Sequence, residues 1–161
     1  MKKFFPYIIA GFMLGLDQII KLLVRQSMNL GETIPVIKNI FHITYIENEG
    51  VAFGMFSGHT GIFIVLSIII LAVLLIFMWK EKSQSGCLRY GVALIVSGAI
   101  GNIIDRGVKA SVTDMFDFRI WPVFNVADVS VCIGFLLLVI YLLFSSEAHD
   151  GKGEPQNSYS K

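Results

Sequence analysis

Four long apolar runs constrain this chain more than any other feature. A helix crossing a hydrocarbon core of about 30 Å needs roughly 20 mostly apolar residues, and runs near that length occur at about 4–24, 61–79, 87–104 and 124–144. Backbone groups in lipid must be satisfied within their own segment, and the runs are too long for barrel strands, so helices are expected. Hydrophobic residues make up 55% of the 161-residue chain and charged residues 16%, with a mean hydropathy of +0.70. That balance fits a membrane protein rather than a soluble domain. The expected fold is an α-helical membrane protein with four transmembrane helices in a single domain over 1–144, followed by a polar tail, 145–161, expected to be disordered.

The first run follows Lys2-Lys3 as a signal peptide would, but no A-x-A-like site follows it and apolar character resumes after Asp17-Gln18, so it reads as a retained span. Asp17 and Lys21 are four apart on one helical face, which allows either a plain ion pair with Lys21 snorkelling outward or a functional role. The second run is interrupted by Ser67 alone between Ile62 and Met78 and reads as a wall of the bundle. The third carries Gly91, Ser97, Gly98, Ala99 and Gly101, small residues that let helices approach closely. Its exit places Gly98, Asn102 and Asp105 near one face, with Arg106 a turn beyond Asn102. Between the first two spans, 25–60 is too polar to cross a bilayer, and its pieces Thr33 to Ile37 and Phe41 to Ile46 suggest a small extramembrane β-sheet. The turn from Asn48 to Gly54 then offers an apolar edge to the membrane surface.

Charge excludes some roles. A net charge of +1 and the lack of a basic stripe with interleaved aromatics give no sign of nucleic-acid binding. Cys87 and Cys132 have no metal-site spacing and read as packing residues. Lys and Arg near the span ends number five on each side before the tail is added, so cytoplasmic termini are favoured only weakly, although an even number of spans puts both termini on one side. With four spans, Asp17, the Asn48 to Gly54 turn, Asn102, Asp105, Arg106, Asp114, Asp117, Asn125 and Asp128 all meet one membrane face, opposite the termini. Ionisable groups there are costly, and their default reading is functional. Two neighbouring carboxylates that share a proton can activate a water and protonate a leaving amine, as in an aspartic protease. A hard-cation site built from Asp114, Asp117 and Asp128 is the other chemistry open to these residues, though it needs more ligands than are evident.

The motifs, in order, resemble those of the lipoprotein signal peptidases (signal peptidase II), four-span aspartic peptidases of bacterial inner membranes. Asp17-Gln18-Ile19-Ile20-Lys21 is similar to D-Q-x-x-K, and Asn48-Glu49-Gly50-Val51-Ala52-Phe53-Gly54 to N-x-G-x-A-[FW]-G. Gly98 to Arg106 resembles G-x-x-G-N-x-x-D-R, while Val112-Thr113-Asp114 and Phe124-Asn125-Val126-Ala127-Asp128 look like V-x-D-[FM] and F-N-x-A-D. The resemblance runs from Asp17 to Gly134. It implies cleavage of signal peptides from prolipoproteins on the N-terminal side of a diacylglyceryl-modified cysteine, with Asp114 and Asp128 as the catalytic pair.

Within that resemblance, Asn48, Asn102, Arg106 and Asn125 would position substrate or support the pair, and Asp17 and Lys21 would stabilise the site. Gly50, Ala52 and Phe53 belong to the covering loop, and Asp105 and Ala127 to the supporting motifs. Neither a metal nor an organic cofactor is implied. The partners implied are the lipid-modified prolipoprotein and membrane lipid, for a monomer with cytoplasmic termini and an active site near the outer leaflet. Asp117 is the rival to Asp114. The alternative from another class is a small proton-coupled carrier or scaffold using the same carboxylates, which would often show an inverted repeat or broken spans; neither is apparent.

Overall fold

The computed structural model of the protein describes residues 4–50, 60–80 and 85–150. Four helices carry the expected apolar runs: α1 (Phe5–Ser27), α2 (Thr60–Lys80), α3 (Gly86–Lys109) and α4 (Val126–Asp150). All four are long and apolar enough to cross a membrane. The first and third run past their expected ends, α1 to Ser27 and α3 to Lys109, and the fourth continues through Asp150 into the segment expected to be disordered. Of the short polar hairpin that the sequence suggests at 80–86, residues 81–84 lie outside the described ones, as does the end of the tail, 151–161. The start of α4 also differs from the expected 124. Phe124 pairs with β3 through backbone bonds to Phe116 and Met115, and Asn125 caps the helix instead.

The extramembrane sheet has three antiparallel strands in the order β1 (Thr33–Ile37), β2 (Phe41–Asn48), β3 (Val112–Asp117). The first two lie between α1 and α2 as expected. The third comes from the α3–α4 connection, and its residues pair with β2 in the register Ile46↔Asp114, Glu47↔Thr113 and Asn48↔Val112. Five of the six β3 residues are buried, whereas β1 is exposed along its whole length. Tyr45, Met115 and Val24 form a buried apolar cluster where sheet and α1 meet.

Within the bundle, α2 exposes apolar side chains such as Val65, Leu66, Ile69 and Ile76, a surface suited to lipid. The wall role expected of it fits this exposure. The tight seam lies between α3 and α4. A Cβ added to Gly134 would sit 2.6 Å from the carbonyl oxygen of Gly91, and one added to Gly98 would run into that of Ala127. Both contacts are with backbone, so any side chain there must push the helices apart. This approach brings the exit of α3 against the first turn of α4, where the polar residues converge. Gly98→Ala should lower the thermal unfolding midpoint in detergent, through an overpacking cost of about 1–3 kcal/mol. Gly107→Ala, with nothing within 4 Å of its added Cβ, should not; equal midpoints for the two variants would contradict this packing.

Candidate active site

The first turn of α4 organises the site. The side-chain Oδ1 of Asn125 accepts the backbone N–H of Asp128 at 2.9 Å, and Asp128 Oδ2 accepts the backbone N–H of Asn125 at 3.1 Å. This is a reciprocal capping box built from Asn and Asp, and it satisfies two helix donors that would otherwise be orphaned. A third donor, the N–H of Ala127, goes to Asp17 Oδ1 at 2.8 Å, so a carboxylate from α1 also sits at the positive end of the α4 dipole. The helix backbone thus fixes which way the Asn125 amide faces. With Oδ1 committed to the N–H of Asp128, Nδ2 is left to donate to Asp114 Oδ1 at 2.6 Å.

Asp114 is almost fully buried on β3. Its second oxygen accepts Asn48 Nδ2 at 3.0 Å, and Asn48 is oriented in turn because its Oδ1 takes the Gly50 N–H at 3.1 Å. Burial pushes the Asp114 carboxyl up, the charge of Asp128 adds to this, and the two asparagine amides oppose it; the result is about 7. A carboxyl so placed is about half protonated at neutral pH and holds its proton below it.

Behind this pair lies a buried ionic network. Lys21, with no solvent exposure, places Nζ 2.9 Å from Asp17 Oδ2, 3.0 Å from Asp105 Oδ2 and 3.0 Å from Asn102 Oδ1. It does not snorkel; three acceptors hold it inside. Because an ammonium only donates, Asn102 must face it with oxygen, and its Nδ2 is left to donate to Asp128 Oδ1 at 2.9 Å. Asp105 takes a second cation, Arg25 Nη2 at 2.6 Å, and the backbone N–H of Thr113 at 3.2 Å. The network therefore joins α1, α3, β3 and α4.

Asp117 lies elsewhere in partnership. It accepts the Thr44 hydroxyl, the Arg119 N–H and Arg119 Nη1, each at 2.8 Å, and shares no partner with Asp128. Burial works against its charge, but these donors and the Arg119 guanidinium hold its carboxyl below the usual range. No group of three or more His, Cys, Asp or Glu among the described residues is arranged to hold a metal ion.

A cavity of about 280 Å³ opens between α2, α3 and α4, lined by apolar groups of Ile70, Ile95, Ala99 and Val131 together with Ser67 and Cys132. Asn102, Arg106 and Asp128 also line it. Cys132 is thus exposed towards a cavity rather than packed. Arg106 lies over the Phe63 ring at 5.4 Å, and its buried Nε has no hydrogen-bond partner among the described residues. The cavity can hold an apolar chain with polar groups at one end. Ala52 and Phe53 of the proposed covering loop lie outside the described residues.

Four contributors carry no assigned role in the sequence reading: Gln18, Arg25, Glu47 and Thr113. Arg25 repeats the i, i+4, i+8 spacing set by Asp17 and Lys21, a signal that could have placed it on the same face. Gln18 donates to Asp17 Oδ2 and to the Gly101 carbonyl. Glu47 and Thr113 face each other across two strands, and β3 was not expected to be a strand.

A family model described as "Signal peptidase (SPase) II" matches residues 9–144 of this chain. A lipoprotein signal peptidase of Halothermothrix orenii is 47% identical over 136 residues, spanning 84% of this chain and 93% of its own. One from Pelotomaculum thermopropionicum is 40% identical over 148 residues, spanning 92% and 97%. Among solved structures, a bacterial membrane enzyme determined by the in meso method at 2.3 Å resolution superposes with a TM-score of 0.81 at 32% identity, covering 96% of this chain and 94% of that one. A second, at 1.9 Å resolution, gives 0.79 at 35% identity and covers 86% and 92%.

Removing Lys21 should be costly because it leaves the buried Asp17 with neutral donors but no cation among the described residues, while Asp105 keeps Arg25. Lys21→Met should lower the thermal unfolding midpoint in detergent, through a loss of about 3–5 kcal/mol. Adding Asp17→Asn should restore part of it; no recovery in the double variant would contradict the pairing.

Proposed function

The chain belongs to the signal peptidase II family of lipoprotein signal peptidases, multi-pass membrane proteases of bacteria, and on that premise we propose that its catalytic type is aspartic, with Asp114 and Asp128 as the pair. The observation that carries this reading is Asn125, whose side chain holds Asp114 while its backbone N–H holds Asp128. One residue thus links the two carboxyl groups. Asp117 has no such link. The substrate is a prolipoprotein, cut on the N-terminal side of its diacylglyceryl-modified cysteine, and the cavity between α2, α3 and α4 receives apolar parts of it. The family gives no support to the carrier reading.

In the resting pair Asp114 carries the proton, as its burial favours, and Asp128 is the base, both of its oxygens accepting N–H donors. Asp128 takes a proton from water as the water oxygen bonds to the scissile carbonyl carbon, and Asp114 gives its proton to the carbonyl oxygen. On collapse the C–N bond breaks, Asp128 passes its proton to the leaving nitrogen, and Asp114 recovers one from the tetrahedral hydroxyl. Both groups return to their starting states. Asn102 and Asn125 hold the pair in register, and Arg106 is placed to meet a polar group of the substrate. The enzyme works as a monomer with both termini in the cytoplasm and the pair near the outer leaflet.

Cleavage of a lipid-modified prolipoprotein in detergent tests the assignment. Asp114→Asn and Asp128→Asn should each lose on the order of a thousandfold or more in kcat, and Asp117→Asn should retain most activity. Normal cleavage by either of the first two, or inactivity of Asp117→Asn in a folded protein, would overturn it. The acid form of Asp114 is the donor and is lost as pH rises through about 7, so kcat should fall across that pH on the alkaline side. A profile that stays level to pH 9 would show that another group donates.

A further inference from the structure

Glu47 on β2 gathers more donors than any residue of the proposed catalytic pair. Its carboxylate accepts the Tyr45 hydroxyl at 2.7 Å, Lys109 Nζ at 3.3 Å, the Thr113 hydroxyl at 3.2 Å, and the Ser111 hydroxyl in a short contact. These donors come from its own strand, from the end of α3, from the α3–β3 turn and from β3. The turn needs such a tie. Ala110 adopts the left-handed region at φ 62°, a costly conformation for a residue with a Cβ, and Ser111 follows it directly.

Thr113 is the next link. It pairs with Glu47 in the sheet register, and it is fully buried. Its hydroxyl also accepts Arg25 Nε at 2.8 Å, and its backbone N–H goes to Asp105. Its neighbour in sequence is Asp114. Successive side chains of a strand point to opposite faces, so fixing Thr113 on one face fixes the direction in which Asp114 projects on the other.

We propose that Glu47 is a positioning residue for the cleavage reaction, acting through Thr113 to hold β3 and thereby the carboxyl of Asp114 in line with Asp128. None of the four residues that donate to Glu47 lines the cavity, so the effect of Glu47 falls on the chemical step rather than on substrate binding. The inference rests on Asp114 being one of the catalytic pair.

The test uses the full-length protein in detergent with a lipid-modified prolipoprotein, and thermal unfolding establishes that each variant is folded. Misplacing a reacting group by about 1 Å can cost about a hundredfold, and a loss in kcat between about tenfold and that figure, with KM within about twofold, is expected for Glu47→Gln. Thr113→Val should show the same loss, Thr113→Ser should restore most of the rate, and Glu47→Gln with Thr113→Val should be no slower than the worse single variant. The alkaline limb of the kcat profile should also move to lower pH in Glu47→Gln, because a loosened strand admits water to Asp114. Full activity in folded Glu47→Gln, a loss expressed only in KM, or losses that multiply in the double variant would overturn the proposal. Asp114→Asn run alongside separates the two readings: activity there rejects the catalytic pair itself, whereas its inactivity beside an unaffected Glu47→Gln rejects Glu47 alone.

Discussion

The arrangement depends on one ammonium group held out of water. A lysine with no solvent exposure is tolerable only if acceptors surround it, and Lys21 meets that demand with Asp17, Asp105 and Asn102. Each of these acceptors has a second duty. Asp17 caps α4, Asp105 receives Arg25 and the backbone of β3, and Asn102 turns its amide towards Asp128. Satisfying one cation therefore dictates how three helices and a strand meet. A shift of α1 by one residue would part Lys21 from Asp105 and Asn102, Arg25 from Asp105 and Asp17 from the head of α4 at once.

Much of this was legible in the sequence, because membrane spans announce themselves by length and apolar content. The small residues of the third span likewise pointed to a close neighbour, and Gly98 and Gly91 lie where α3 meets the α4 backbone. The helix ends were less legible. Arg25 and Lys109 read as exits from the membrane, yet both remain helical, Arg25 paired with Asp105 and Lys109 with Glu47. The third strand was missed for a related reason. Val112 to Asp117 contains two aspartates and reads as loop, and its partner strand lies across two intervening spans, beyond any local pattern. Each aspartate is carried by donors that come from far along the chain, Asn48 for Asp114 and Thr44 for Asp117.

The polar residues of the site also divide by motif more cleanly than by position. Asp114 and Asp117 are three apart on one strand, and composition alone gives them equal standing. Their partners separate them: Asp114 faces asparagine amides, which are neutral, whereas Asp117 is paired with a guanidinium. A carboxyl kept among neutral donors in a dry setting can change its protonation during a reaction, and one locked to arginine stays a fixed anion. The contrast with α2 is sharper still. Among the described residues, that helix offers the site the cavity wall and the Phe63 ring beneath Arg106.

The reciprocal cap at the head of α4 has a geometric consequence. Asp128 is the third residue of a membrane-crossing helix, and the rise of 1.5 Å per residue places it roughly 4.5 Å along the axis from Asn125. The depth of its carboxyl below the membrane surface is therefore set by where the helix starts, and the cap fixes that start. An enzyme built this way carries its own depth gauge: lengthening the segment ahead of Asn125 would move loop residues, while the height at which a substrate bond is presented to Asp128 would stay tied to the helix itself.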